Sequence, residues 1–435
     1  MSNAREADAP RRIDLAAVSA ISCAQILLEL LLSRLFSVTL YYHFAFMVVS
    51  LALFGLAAAG VVVSSSRWGA SASRARVAMA ASCALFGLGA VATLAVVLQV
   101  RIPSGGGWRI FLHLLAIYFP ASVPFFFSGT SLALAMTRWS NQAGRVYFWD
   151  LAGAAAGCVL TVPLLDLAGG IDAVLVVAAI GGAAGLLWAT GWSTRLLAAS
   201  ACAVSVLLLL ANPRLGILKV PTTKAVDESR VIFAKWNSLS RITVSPGEHD
   251  FLWMNIDSDA ATRIFSSSAW SEGRRDNLRF SETRLASLVY ETGPKEKVVV
   301  IGPGGGADVL SALQKGAGRV LGIELNDIIV EDVMLGRFAQ YSGRLYENPS
   351  VQVVVGEGRS SLRRSTERFD VIQATLVDTW AATSAGAFTL SENMLYTVEA
   401  FVDFIEHLGP SGRLSMTRWL RRPPREFVRL AAIGV

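Results

Sequence analysis

The chain has 435 residues, 53% of them hydrophobic and only 17% charged, with a formal net charge of +6. Soluble globular domains carry about 25% charged residues, so an ordinary soluble protein throughout is excluded. The positive excess sits largely in short arginine-bearing loops between apolar segments, and there is no zinc-finger spacing or aromatic–basic pattern; this points to membrane topology and away from nucleic acid.

The apolar excess lies before Asn212. Long apolar segments are predicted at about 15–36, 43–64, 77–100, 110–136, 148–168, 172–190 and 196–211. Most reach the ~20 residues a bilayer crossing needs. The first is too long, and too closely followed by others, for a cleaved signal peptide. Arg5, Arg11 and Arg12 precede it, and Arg67, Arg74, Arg76, Arg138, Arg145 and Arg195 fall in every second loop. That bias favours a cytoplasmic N-terminus, and seven full spans would then put the C-terminal part outside. The cytosolic ligand inferred below argues the other way. The expectation is a multi-pass protein of the cell (inner or plasma) membrane with a cytoplasmic C-terminal domain, in which 196–211 is the weakest span. Glu29 and Asp150 are the candidates for a buried polar site, with Arg34, Arg145 or helix ends as their ordinary partners. Cys23, Cys83, Cys158 and Cys202 all lie in apolar segments and read as packing residues, without metal-ligand or disulfide spacing.

Asn212-Pro213 ends the last apolar segment. Strand-like runs follow at 230–233, 240–244 and 251–256, with turns at Pro246-Gly247 and around Ser258 to Ala261. They predict a small antiparallel sheet. Residues 282–291 read as a helix stopped by Gly293-Pro294.

From Lys297 strand and helix alternate. Strands are predicted at 297–301, 319–323, 351–355, 369–374 and 412–417, and helices at 307–315, 327–340, 358–364 and 394–408. This spacing implies a parallel sheet covered by helices. Ligands of such sheets bind beyond the carboxyl ends of the strands. The residues there are the glycine-rich turn Gly302 to Asp308, then Glu324-Leu325-Asn326, then Gly356-Glu357-Gly358, then Thr375 to Asp378. Glu324 is placed to accept ribose hydroxyls, and Glu357 an adenine amino group. The plainer alternative is that these acids only cap helix N-termini.

Residues from about 230 to 420 resemble the spermidine synthase family of polyamine aminopropyltransferases, which share the class I methyltransferase fold. The resemblance is carried by Trp236-Asn237-Ser238, Ile301 to Asp308, Gly322-Ile323-Glu324-Leu325-Asn326, Gly356-Glu357-Gly358-Arg359 and Leu390 to Phe401. It is strongest to the membrane-anchored branch. It implies decarboxylated S-adenosylmethionine, or S-adenosylmethionine itself, as co-substrate and no metal. It also implies that Gly302, Gly304, Gly306 and Glu324, with Asp308 and Asn326 beside them, hold the ribose and the methionine-derived part, while Glu357 and Gly358 hold the adenine. Three departures stand out. Gly305 replaces an Asp of the family's loop. Thr375 replaces the first Asp of a D-S-S-D motif, of which Asp378 survives. Ser240-Arg241 replaces a Tyr-Gln pair lining the polyamine site. Thr375 cannot neutralise an amine, and Arg241 would repel a polyamine.

The expected architecture is therefore an N-terminal multi-pass α-helical membrane domain (1–212), a linker and small β region (213–290), and an α/β Rossmann-like, class I methyltransferase-type parallel-sheet domain (291–435). The pattern stops after the fifth strand without the antiparallel strand pair usual at that sheet edge, as in a truncated chain. The expected activity is aminopropyl transfer to an amine, with Asp378 and Thr375 as the catalytic pair. The alternatives are methyl transfer to a membrane-presented acceptor, or a catalytically degenerate nucleotide-binding sensor or transporter. The expected partners are the lipid bilayer and a small amine or membrane-presented acceptor, with no nucleic acid; a homo-oligomer is left open.

Overall fold

A computed structural model describes residues 9–40, 44, 46–100, 108–224, 226–248, 250–270, 285–377, 394–418 and 425–433. The chain forms two compact units, one of residues 1–228 with 236–240 and the other of 229–235 with 241–435.

The first unit is helical: α1 (Arg12–Thr39), α2 (Met47–Ser65), α3 (Ala72–Gln99), α4 (Trp108–Arg138), α5 (Ala143–Trp188) and α6 (Trp192–Leu215). All six are long and apolar enough to cross a membrane. Glycines set their close approaches, because a side chain there would strike a neighbouring backbone. In α5 a Cβ on Gly153 would meet Ser19 of α1, and one on Gly157 would meet Cys23. The numbers rise together, so this half of α5 runs parallel to α1. Further on, Gly181 lies against Cys83 and Gly185 against Ala80 of α3. There the numbers run oppositely, so the second half is antiparallel to α3. Since α1 and α3 start at the same end, joined by Arg76 and Asp14, α5 must reverse. It does so at Gly169, whose φ of 71° breaks the helix. Thus α5 holds both apolar segments expected at 148–168 and 172–190. Five helices traverse the bundle once and α5 twice, giving seven passages.

The interior of this unit carries polar pairs. Asp14 is fully buried and accepts from the Arg76 guanidinium at 2.9 and 3.0 Å. Ser22 donates to Asp150, and Ser128 to Gln25 at 2.8 Å. Sequence reasoning singled out Glu29 and Asp150, but the sealed acid is Asp14, three residues into α1. Asp150 is held by a serine and not by Arg145, which donates to Gln142. The tail of the unit packs on the far end of α1. The Thr223 hydroxyl donates to the Thr39 carbonyl, the Lys224 ammonium to that of Ser37, and the Arg34 guanidinium to that of Leu239.

The second unit contains two sheets. The smaller has the order β1 (Phe233–Trp236), β2 (Arg241–Pro246), β3 (Phe251–Ile256), β4 (Ala260–Phe265), with β2–β3 and β3–β4 antiparallel. The fourth strand was not expected: the turn read at Ser258 to Ala261 is a tight reversal, with Asp257 and Ser258 at positive φ, and β4 starts at its end. Of the helix expected at 282–291, residues 282–284 lie outside the described set. The rest is helical, an α-helical stretch at 285–287 running into a 3-10 turn, Leu288–Tyr290.

The larger sheet comprises β5 (Lys297–Ile301), β6 (Arg319–Glu324), β7 (Val351–Val355), β8 (Phe369–Thr375) and β9 (Leu408–Thr417), in the order β7-β6-β5-β8-β9. All its pairings are parallel. Helices α7 (Ala307–Gln314), α8 (Gly358–Arg363) and α9 (Val398–Glu406) connect them, together with a π-helical segment Ile328–Arg337 where a longer α-helix was expected. A final helix, α10 (Arg425–Ile433), follows β9. The β-branched run of β5 is buried on both faces, as a central parallel strand must be. Val298 and Val300 pack with Ile242, Met254 and Ile264 of the small sheet, whereas Val299 and Ile301 pack with Leu362 and Phe404. The two sheets thus share one core inside one unit.

Candidate functional site

The parallel register brings the predicted site residues into one row. Ile301 pairs with Ile323 and with Ala374, and Glu324 with Val355. The next residues along, Gly302, Glu324 and Thr375, therefore stand side by side at the carboxyl edge, with Gly356-Glu357 beyond β7. This edge, where the chain reverses from one side of β5 to the other, is where α/β sheets bind ligands.

The loop after β5 owes its shape to glycine. Gly302, Gly304 and Gly306 have φ of 66°, 53° and 85°, a region that side-chain-bearing residues avoid. Gly304 is pinned from both directions. Its N–H donates to Glu324 Oε2 at 3.0 Å, and its carbonyl accepts from the Tyr346 hydroxyl at 2.8 Å. The other oxygen of Glu324 accepts from Asn326 N–H at 3.2 Å. Burial pushes the Glu324 carboxyl up, and the N–H groups of Asn326, Gly304 and Leu325 act against it. Glu324 thus ties the glycine loop to the tip of β6 and keeps a further lone pair on each oxygen. Asn326 turns inward too, and its side chain caps Ile328 N–H at 3.1 Å.

Gly305 shows why this loop has no Asp. A Cβ there would lie 2.2 Å from the Arg263 carbonyl oxygen of β4. The backbone of the small sheet occupies the space that a side chain would need. Gly305 is one half of a close approach whose other half is the unexpected strand β4.

Glu357 performs the alternative role weighed from sequence. It caps α8, accepting from Arg359 N–H at 2.9 Å and Ser360 N–H at 2.7 Å. Burial acts to raise its carboxyl, but these N–H groups prevail and hold it below the usual range. Gly358 is dictated by packing, since a Cβ would come within 2.6 Å of Ile301.

Thr375 belongs to a buried polar network. The Tyr290 hydroxyl donates to Gln373 Oε1, and Gln373 Nε2 donates to the Ala286 carbonyl at 3.2 Å and to Thr375 Oγ1 at 3.1 Å. Burial raises the Asp308 carboxyl to about 6, partly offset by the Thr375 hydroxyl. The next residue, Leu376, has a φ of 53°, costly for a residue with a side chain and a mark of a constrained strand tip. Asp378, the other expected catalytic residue, lies outside the described residues, as do Leu390 to Asn393. Arg241 is buried on β2, with its N–H given to Asp257 at 2.8 Å.

Tyr290, Tyr346 and Gln373 were missed. Gln373 left a signal: it is a polar residue inside the apolar run of a strand buried on both faces. The tyrosines left none, because only the folded chain carries them to the strand tips. No group of three or more metal-ligating side chains occurs among the described residues.

No protein-family model matches the chain. A polyamine aminopropyltransferase from Korarchaeum cryptofilum (strain OPF8) is 25% identical over 142 residues, which is 33% of this chain and 41% of that protein. The chain thus spans about two fifths of that relative's length. Two solved structures are similar. A spermidine synthase in complex with the transition state analogue AdoDATO has a TM-score of 0.33 and 19% identity, covering 43% of this chain and 57% of that one. The spermidine synthase from Thermotoga maritima gives 0.32 and 18%, covering 43% and 55%. The parallel-sheet unit has a spermidine synthase-like fold, as its sequence likeness to that aminopropyltransferase indicates.

Proposed function

We propose that the chain is a membrane-bound transferase of the spermidine synthase type, moving an aminopropyl group from decarboxylated S-adenosylmethionine to an amine. The observation that carries this reading is the Glu324 carboxylate, bound at once to Gly304 N–H and Asn326 N–H. It sets a buried acceptor beside a loop whose backbone can approach a ligand closely. Gly302, Gly304, Gly306 and Glu324 would hold the ribose and the sulfonium-bearing chain, with Asp308 and Asn326 behind them. Glu357 and Gly358 would border the adenine, and Thr375, at the tip of β8, would border the acceptor; Asp378, the other residue of the expected pair, lies outside the described residues. The helical unit would span the cell membrane, seven passages placing the N-terminus and the α/β unit on opposite sides, with the α/β unit in the cytoplasm where such a nucleotide is available. Its interior polar pairs suit helices that lack water between them.

In this reaction the amine nitrogen attacks the carbon attached to the sulfonium. The C–N bond forms as the C–S bond breaks, the bonding pair goes to sulfur, and methylthioadenosine leaves as a neutral thioether. The test is turnover by the purified full chain: decarboxylated S-adenosylmethionine with putrescine or another amine should yield methylthioadenosine. A second reading is favoured by Thr375 and by the closed space at Gly305, both of which alter the acceptor side while leaving the Glu324 contacts intact. It is methyl transfer from S-adenosylmethionine to a membrane-presented acceptor. Transfer of a labelled methyl group into a membrane extract, with no methylthioadenosine formed, would select it.

A further inference from the structure

We propose that Glu29 is a binding site for an exchangeable proton inside the helical unit, a site that the transferase chemistry does not use. The inference rests on the membrane reading of that unit and adds a role to it.

Glu29 lies deep and alone. It stands about 5 Å past the middle of α1 at about 1.5 Å per residue, inside a hydrocarbon core about 30 Å thick. It belongs to a polar file, since Asp14, Ser22, Gln25 and Glu29 fall within about 80° of arc on one face of α1. The first three each have a partner on another helix. Asp14 accepts from Arg76 of α3 at 2.9 Å, Ser22 donates to Asp150 of α5, and Gln25 Oε1 accepts from Ser128 of α4 at 2.8 Å. Glu29 is half-buried and has no hydrogen bond or ion pair among the described residues. Arg34, the partner expected for it, donates to the Leu239 carbonyl.

The hydroxyls around it are committed elsewhere. Gly153 faces Ser19 and Gly157 faces Cys23; continued along both helices, this register sets Thr161 and Leu165 of α5 on either side of Glu29. The Thr161 hydroxyl donates to the Gly157 carbonyl at 2.8 Å. On α4, Ser128 meets Gln25 and Tyr118 meets Phe36. The one hydroxyl between them, Ser122, donates to the Phe119 carbonyl at 2.8 Å. Ser33, the next turn of α1, donates to the Leu30 carbonyl at 2.7 Å. The Gln25 amide nitrogen, one turn earlier, is left as a donor, and an amide cannot neutralise a carboxylate.

The titratable groups of the packed helices do not supply a countercharge either. There are none in α2. Those of α3, Arg74, Arg76 and Cys83, lie before its midpoint, far from the level of Glu29. Arg109, His113 and Arg138 lie near the ends of α4. Of the α5 groups, Asp150 is beside Ser22, Cys158 and Asp166 are exposed, and Asp172 follows the break at Gly169. An ionised carboxylate left unpaired in an apolar layer is costly, and uptake of a proton removes that cost. A metal ion needs more oxygens than one side chain supplies, and no group of three or more metal-ligating side chains occurs among the described residues. The step is the transfer of one proton from water to the carboxylate, giving a neutral acid.

The test uses the full chain in phosphatidylcholine vesicles with dicyclohexylcarbodiimide, an apolar reagent for protonated carboxyls. The acid O–H adds across one C=N bond: the proton goes to nitrogen, the carboxyl oxygen to the central carbon, and the acyl group then shifts to nitrogen with nothing leaving. Peptide mass mapping should find the adduct on Glu29, about tenfold or more above that on exposed Asp166, where water keeps the acid ionised. Its yield should fall as pH is raised, and a water-soluble carbodiimide should leave Glu29 unmodified. Glu29→Gln, a neutral isostere, should lose the adduct and keep the wild-type melting temperature in mild acid. No adduct at Glu29, in a chain that stays with the vesicles in alkaline carbonate, overturns the proposal alone. So does a yield that ignores pH, or equal labelling by the water-soluble reagent. A melting temperature of Glu29→Gln below wild type at every pH would reveal a partner for the carboxylate and also overturns it. Should Glu29→Gln not fold, labelling of the wild-type chain decides by itself. Release of the chain by carbonate overturns the membrane reading and the proposal with it.

Discussion

Restoring the acid that the family loop carries should break this site, and the reason is measurable. In Gly305→Ala the new Cβ would lie 2.2 Å from the Arg263 oxygen, 2.7 Å from its carbonyl carbon and 3.2 Å from Ile264 N. Non-bonded carbon contacts settle at about 3.5–4.0 Å, so loop and strand must part by roughly 1 Å. Neither can yield cheaply: Gly304 is tied to Glu324 and Tyr346, and Arg263 is paired to Trp253 within the antiparallel sheet. Overpacking costs about 1–3 kcal/mol, and two constrained backbones put this case at the upper end. About 3 kcal/mol corresponds to a loss of roughly 100-fold in the population of the competent loop, at about 1.4 kcal/mol per tenfold. Calorimetric titration with decarboxylated S-adenosylmethionine should show that loss in Gly305→Ala and a larger one in Gly305→Asp. Gly60→Ala in α2, where a Cβ would meet nothing within 4 Å, is the control and should bind normally. Wild-type affinity and melting temperature in Gly305→Ala would refute the close approach of loop and β4.

Four further outcomes are expected. Glu324→Ala strands the N–H groups of Gly304 and Asn326, at about 1–3 kcal/mol each; nucleotide affinity should fall at least tenfold, and unchanged binding would remove Glu324 from the site. Asp14→Ala removes the buried acceptor shared by Arg76 and Arg11 at the start of α1 and should cost about 1–3 kcal/mol, read as a lower melting temperature in detergent, with part of it regained when Arg76 is also made apolar. Reporters of membrane sidedness fused before α1 and after α10 should read opposite faces, with the second cytoplasmic; two like readings would contradict the reversal at Gly169, and an external second reading would contradict a cytosolic nucleotide. The pH dependence follows from Asp308, whose carboxyl stands at about 6 in the fold against 3.8 for the free side chain. A raised acid favours the protonated fold, so its stabilisation is complete below about 3.8 and is lost as pH rises through about 6. At about 1.4 kcal/mol per unit this amounts to about 3 kcal/mol. The slope of unfolding free energy between pH 4 and 7 should flatten in D308N, and an unchanged slope would refute the assignment.

Local pattern was enough to find the strands of the parallel sheet. A β-branched run such as Lys297–Ile301 buried on both faces has few alternatives, and an alternation of such runs with helices forces a parallel layer. The same holds for the apolar segments, whose length is a property of the chain itself. Glu324 was legible because a residue at a strand tip is fixed by the register of its neighbours. Boundaries were less so: β4 was read as part of a turn, since Ala260-Ala261-Thr262 carries no strand signature of its own and becomes a strand by pairing with β3.

What the sequence determined, then, was everything that depends on neighbours along the chain: apolar segments, strand and helix alternation, and the glycine turn with its acid twenty residues on. Tertiary structure alone decided what depends on approach through space. It made α5 turn back at Gly169, sealed Asp14 against Arg76 rather than Glu29 or Asp150, and brought Tyr290 and Tyr346 to the strand tips. At Gly305 it set the Arg263 carbonyl where an acid would stand, and beside Thr375 it set Asp308. The physical reason is that a hydrogen bond or a steric contact reads distance, and residues such as Asp308 and Thr375 become neighbours only when the sheet forms.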